Sequence, residues 1–147
     1  MEGSGWSVPG THSGLTIAQQ AQKIVAAQGA VNFVVMAGVN DLGARKTVAD
    51  MLAGVAQLEA VAASVGTRVL YVGIVPVPQA SYVNYRNADR LAFNQALAAQ
   101  FPGRYLDCSA SMSSGDWLIA PYSLAADDLH LSSAGEAALA ACIAPTI

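Results

Sequence analysis

The amino-acid sequence predicts an α/β protein built on a parallel sheet, and three observations carry that expectation. Amphipathic helical stretches alternate with short apolar runs in the order helix, strand, helix, strand, helix, strand, long loop, helix. The runs lack the in-out alternation of a half-solvated sheet, so each reads as a strand buried on both faces, the habit of parallel strands joined by right-handed helical crossovers. The 147 residues and 54% hydrophobic content suit one domain, 1–147, with a single core.

Each element has its own signal. Residues 1–14 are rich in Gly, Ser and Pro and read as loop, with Trp6 to Val8 able to form a short extended piece. Thr16 with Gln19 makes a capping box, and Ile17, Ala21, Ile24 and Val25 recur on one face, predicting a helix over 17–28. The run 30–37 is the first buried strand, and the polar stretch 40–46 after it reads as a loop. Thr47 caps a second helix, with Asp50 in its first turn, where the helix dipole favours a carboxylate. Val48, Met51, Leu52, Val55, Leu58, Val61 and Val65 form its stripe, Gly66 suits a left-handed stop, and Gly54 implies close packing against the sheet. A strand over 68–75 ends at Pro76 and Pro78, and a helix over 85–100 is supported by Leu91, Phe93, Ala96 and Leu97. Residues 104–107 make a short third strand, 108–131 a long connection without periodicity, and Ser133 with Glu136 a capping box that opens a last helix to about 143.

Composition excludes several functions. Charged residues make up 12% of the chain and the net charge is -3, which is neither the basic surface of a nucleic-acid binder nor an acidic disordered tail. No apolar run approaches the roughly 18 residues of a membrane span, and the N-terminus lacks the order of a signal peptide. The chain reads as soluble and without a visible address; secretion would require a signal peptide ahead of it. Cys108, expected at the top of the sheet, and Cys142, at the end of a helix running down, should lie beyond the roughly 7 Å that a bridge allows, leaving two free, mostly buried thiols. The two His and two Cys show no zinc-site spacing.

In such a sheet the chemistry gathers above the carboxyl ends of the strands. The loops that meet there hold Gly10, Asn40, residues 76–85 and residues 107–131. Asp127 lies three residues before His130 on the last of them, a spacing that lets a carboxylate fold back and orient an imidazole. Asn40 offers a side-chain N–H to an oxyanion, and Gly10 an unobstructed backbone N–H. Singly, each has a plainer reading: a packing histidine, an Asn-Asp turn, a Pro-Gly turn. Their coincidence at one end of one sheet favours a site. Tyr82, Tyr85, Trp117 and Tyr122 are either walls of a pocket or loop anchors.

Gly38-Val39-Asn40-Asp41 after an apolar strand resembles the G-x-N-D block of the SGNH (GDSL-type) hydrolases. Asp127-Asp128-Leu129-His130 is similar to that family's D-x-x-H block, and the turn from Gly10 to Gly14 to its glycine block. The likeness covers nearly the whole chain. It implies a three-layer flavodoxin-like fold and hydrolysis of a small-molecule or carbohydrate ester by a Ser-His-Asp triad, without metal or cofactor. It also implies His130 as general base, Asp127 as its orienter, Gly10 and Asn40 as oxyanion donors, and Asp41 and Asp128 as structural or peripheral. The departure is the family's G-D-S block: no Gly-Asp-Ser occurs in the chain. Measured back from Gly10, the first strand with its nucleophilic serine is absent, which would leave the strand at Val34 with an open edge. Of the serines near the glycine block, Ser4 and Ser13 do not follow a strand in a sharp turn. The expectation is therefore an N-terminally incomplete serine esterase or acyl hydrolase, inactive as written. The alternatives are a non-catalytic module on the same fold, whose open sheet edge would accept a strand from a partner, and an unrelated flavodoxin-like domain, disfavoured because no phosphate-binding glycine loop is present.

Overall fold

The computed structural model describes residues 15–26, 32–78, 85–122 and 130–146. The elements are α1 (Ile17–Ala26), β1 (Asn32–Val35), α2 (Val39–Gly43), α3 (Val48–Ser64), β2 (Arg68–Val72), α4 (Asn87–Gln100), β3 (Tyr105–Leu106), β4 (Ser113–Ser114), β5 (Trp117–Leu118) and α5 (Ser133–Ile143), with a 3-10 turn at Ala144–Thr146. The main sheet runs β1-β2-β3, all parallel, with Phe33 opposite Val69 and Tyr71 opposite Tyr105. The expected α/β architecture with a parallel sheet and helical crossovers is what the chain forms.

Strand pleating divides the apolar residues between two faces. Phe33, Val35, Val69 and Tyr71 are buried with Ile17, Met51, Val55, Leu58, Phe93 and Leu97 from α1, α3 and α4. On the other face Val72, Val75, Cys108, Met112 and Leu118 form a smaller cluster, covered by Leu139, Cys142 and Ile143 of α5. α3 begins at a complete Thr47–Asp50 capping box, with Asp50 N donating to Thr47 Oγ1 at 3.1 Å and Thr47 N to Asp50 Oδ2 at 3.0 Å. It ends before Gly66, whose φ of 71° is the left-handed stop.

Several expectations are corrected. Gly54 packs against α1 rather than the sheet: a Cβ there would lie 3.2 Å from Ile17 Cγ2 and 3.3 Å from the Ala18 nitrogen. α4 turns a half-polar face inward. Asn87, Arg90 and Asn94 are buried beside Phe93 and Leu97, whereas Leu91 is 42% exposed, because α4 bonds the backbone that follows β2. The stretch 40–46 opens with the short helix α2, and the long connection 108–131 contains the β4–β5 hairpin. The strands are shorter than the apolar runs, since side chains rather than a neighbouring strand bond the backbone around Ile74.

The cysteines are not free. Cys108 and Cys142 form a disulfide, their Cα atoms 5.8 Å apart. β3 is only two residues long, and the last turn of α5 lies level with its upper end, where Cys142 Sγ is 4.0 Å from the Asp107 carbonyl oxygen. The separation expected from a helix running the full height of a sheet does not arise. Among the described residues no helix is long and apolar enough to cross a membrane.

Candidate active-site end of the sheet

Chain leaving β1 turns sharply at Gly38, whose φ is 123°; a Cβ there would lie 2.6 Å from Ile74 Cδ1 and 3.0 Å from Met51 Cε. Only glycine combines that backbone with that approach. The turn sets Asn40 and Asp41 in α2, directly above the carboxyl end of β1. Asn40 donates Nδ2 to the Leu15 carbonyl at 3.1 Å. An amide nitrogen carries two hydrogens, and the second makes no bond within the described residues. Asp41 is buried, accepts from the Ile17 nitrogen at 3.0 Å and pairs with Lys46 Nζ at 3.1 Å. Its carboxylate thus caps the first turn of α1, where the positive end of the helix dipole favours it. The two adjacent residues have separate tasks: Asp41 ties α1 down, and Asn40 holds an amide against the chain that enters it. Thr16 bonds Gln19 as half of the expected box, its nitrogen donating to Gln19 Oε1 at 2.9 Å.

His130 lies on the approach to α5 and is exposed. The next residue, Leu131, packs against the second cluster, that of Val72, Val75, Cys108, Met112 and Leu118. The start of α5 is moored just beyond it. Ser132, one residue before the expected cap, accepts from the Gly135 nitrogen at 3.2 Å and donates Oγ to the Pro121 carbonyl at 2.5 Å. Its own nitrogen donates to the Tyr122 carbonyl at 2.9 Å, and a side chain at Gly135 would strike that same oxygen. Gly10 and Asp127, along with Asp128, Ser4, Ser13 and Tyr82, lie outside the described residues.

Of the other aromatics, Tyr85 packs on the first core, where a Cβ at Gly43 would meet its ring at 3.0 Å, and Tyr122 packs on the second cluster; both are anchors. Buried polar groups at this end that had no sequence signal are Arg90 and Asn94. Arg90 donates Nη1 to the Ile74 carbonyl at 3.1 Å and Nε to Asn87 Oδ1 at 2.6 Å, and Asn94 bonds both backbone groups of Ile74 at 2.9 and 3.0 Å. Their i, i+4 spacing puts both on the face of α4 that carries Phe93 and Leu97, which apolar periodicity does not reveal.

Comparison with solved structures finds the same arrangement elsewhere. A candidate acylhydrolase from Bacteroides fragilis matches with a TM-score of 0.75 at 18% identity, over 90% of this chain and 69% of that one. A GDSL-like lipase from Bacteroides thetaiotaomicron matches at 0.66 and 19%, over 90% and 71%. The fold is that of the GDSL-like acylhydrolases. A protein described as a candidate platelet activating factor from Streptococcus pneumonia matches at 0.74 and 22%, over 90% and 68%. At such identities the likeness to the GDSL-like proteins is one of fold. No family model and no curated protein matches the chain.

Proposed function

We propose that this is the scaffold of a serine ester hydrolase acting on a small-molecule or carbohydrate ester. The observation that carries the reading is Asn40: in a GDSL-like fold its amide is pinned just after β1, where the chemistry of such sheets gathers, with one N–H that makes no bond within the described residues. In the complete reaction a serine oxygen attacks the ester carbonyl carbon while His130 takes the serine proton, Asp127 orienting the imidazole. Asn40 and the Gly10 backbone N–H stabilise the negative oxygen that forms. The C–O bond to the alcohol breaks as His130 returns the proton to it, and a water molecule deprotonated by His130 then releases the acid and restores the serine. No metal or cofactor enters these steps.

The chain contains no Gly-Asp-Ser to supply the nucleophile. It is therefore inactive or nearly so by itself, keeping only the residual stabilisation of binding and oxyanion donors, on the order of 10³-fold over water. Purified chain incubated with p-nitrophenyl acetate should release nitrophenol at close to the buffer rate. Turnover at ordinary esterase rates that His130→Ala abolishes would overturn the assignment of inactivity.

A second reading, a non-catalytic module that accepts a strand, is favoured by β1 itself. Among the described residues it pairs only with β2, and its Asn-Phe-Val-Val sequence carries no charge to guard the other edge. The disulfide supports an oxidising compartment for either form.

A further inference from the structure

A cleft of about 330 Å³ opens at the carboxyl end of β3, with α4 on one side and Gly115 and Asp116, the tip of the β4–β5 hairpin, on the other. Its floor is held rigid from within the protein. Arg90, 5% exposed, and Asn94 are tied to the backbone of Ile74, and Asp107 Oδ1 accepts from both the nitrogen and the hydroxyl of Ser109, at 2.9 and 2.6 Å. Two groups on that floor keep unspent capacity. The Tyr105 hydroxyl and the second oxygen of Asp107 make no hydrogen bond within the described residues. A side chain at Gly73 would strike the Tyr105 hydroxyl, so the glycine is what leaves room for the phenol. Burial, then the Asp107 charge, push that phenol up to about 12, so it stays an O–H donor at neutral pH.

Charge and shape select what fits. Among the described residues the lining holds one guanidinium, Arg90, and two carboxylates, Asp107 and Asp116, a formal charge of −1 that repels phosphates and carboxylates. Among the described residues Pro76, Leu91, Ala98 and the Tyr105 ring supply apolar surface beside the polar groups, so the wall is amphipathic. Among the described residues no group of three His, Cys, Asp or Glu could hold a metal ion. What remains is a ligand of many hydroxyls with a single C–H face.

We propose that this cleft binds a neutral saccharide, its hydroxyls bonded by Tyr105, Asp107 and Gln95 and its C–H face laid on Leu91. That gives a role to Leu91, which at 42% exposure is otherwise an unexplained apolar side chain on a solvated helix face. β3 lies two strands from β1, about 10 Å at roughly 4.8 Å per strand. The cleft is thus separate from the Asn40 position, and the inference does not depend on the hydrolase reading.

The test is a titration of the full ¹⁵N-labelled chain, followed by amide shifts, with the neutral probes cellotetraose, xylotetraose and maltotetraose, a cationic chitosan tetramer and an anionic tetragalacturonate. At least one neutral probe should saturate below about 10 mM, moving the amides of Gln95, Tyr105 and Asp116. Tyr105→Phe should weaken it about fivefold without lowering the melting temperature, since the hydroxyl makes no bond within the described residues. Tyr71→Phe, whose hydroxyl bonds Glu59 outside the cleft, should leave the affinity unchanged. Failure of every neutral probe to saturate, tighter binding of a charged probe than of any neutral one, or unaltered affinity in Tyr105→Phe would each overturn the proposal.

Discussion

Asp41 shows what a single residue can hide. In the sequence it is the second half of an Asn-Asp pair, a pairing that turn chemistry explains by default. Its partner, the Ile17 nitrogen, is 24 positions away, and no local pattern reveals it. Buried to 1% exposure and bonded to both Ile17 and Lys46, the carboxylate joins the start of α1 to the loop after β1. Asp41→Ala leaves the Ile17 nitrogen without its acceptor and should cost about 2–3 kcal/mol in urea unfolding. Asp41→Asn keeps an acceptor and loses only the pairing with a partly exposed Lys46, so its cost should stay near about 1 kcal/mol. Equal losses in the two variants would show that the ion pair, not the helix cap, dominates. Tyr71 makes a second prediction at this scale. Burial, then the bond to Glu59, raise its phenol well above the usual range, and Tyr105 is raised as well. The unfolded chain loses these protons near pH 10 while the native chain keeps them. Stability is therefore fully present below about pH 10 and falls as pH rises beyond it. Urea midpoints measured from pH 8 upward should show that fall, and it should be smaller in Tyr71→Phe.

At the level of elements, legibility followed the balance between core packing and other bonds. α3 could be read almost to the residue because its cap, stripe and glycine stop all serve one local purpose. α4 was legible in its span and in Phe93 and Leu97, whereas Leu91 is exposed because the inner face is shared with polar side chains that bond the Ile74 backbone. α5 was legible in its span, Ser133–Ile143, but not in what holds it. Its sequence is apolar on all sides, yet among its residues only Gly135 is buried, and what holds it is the Ser132 mooring at one end and the disulfide at the other. The two cysteines, expected too far apart to bridge, are bonded because the last turn of α5 lies level with the upper end of β3. Cross-linking a loop of 34 residues stabilises by about 2–4 kcal/mol. Cys108→Ala/Cys142→Ala should lose that much in denaturant unfolding, and hydrogen exchange should show α5 losing protection before α3. Uniform loss across the helices would mean that α5 is held by its packing instead.

For the whole molecule, the order of helices and strands was enough to predict a parallel α/β sheet, and the fold shared with GDSL-like proteins agrees. The sequence pattern is less informative about how evenly the sheet is covered, because a buried and a half-covered strand use the same residues. One face is sealed by α1, α3 and α4; on the other, α5 leaves Val34 and Leu70 half-buried and Met36 39% exposed beside β1. Backbone pairing repeats the asymmetry, since among the described residues β1 bonds β2 alone. An uncharged apolar strand with such an edge is a template for another strand, and in a purified sample the strand at hand belongs to a second copy of the chain. Sedimentation velocity should therefore reveal association that grows with concentration. Met36→Lys places a charge where an incoming strand would pass and should raise the dissociation constant about tenfold, or about 1.4 kcal/mol. Because Met36 is already 39% exposed, the variant should melt close to the wild-type temperature. A chain that stays monomeric at every concentration, or a Met36→Lys variant that associates equally well, would show that the edge of β1 is not available and would remove the support for a strand-accepting module.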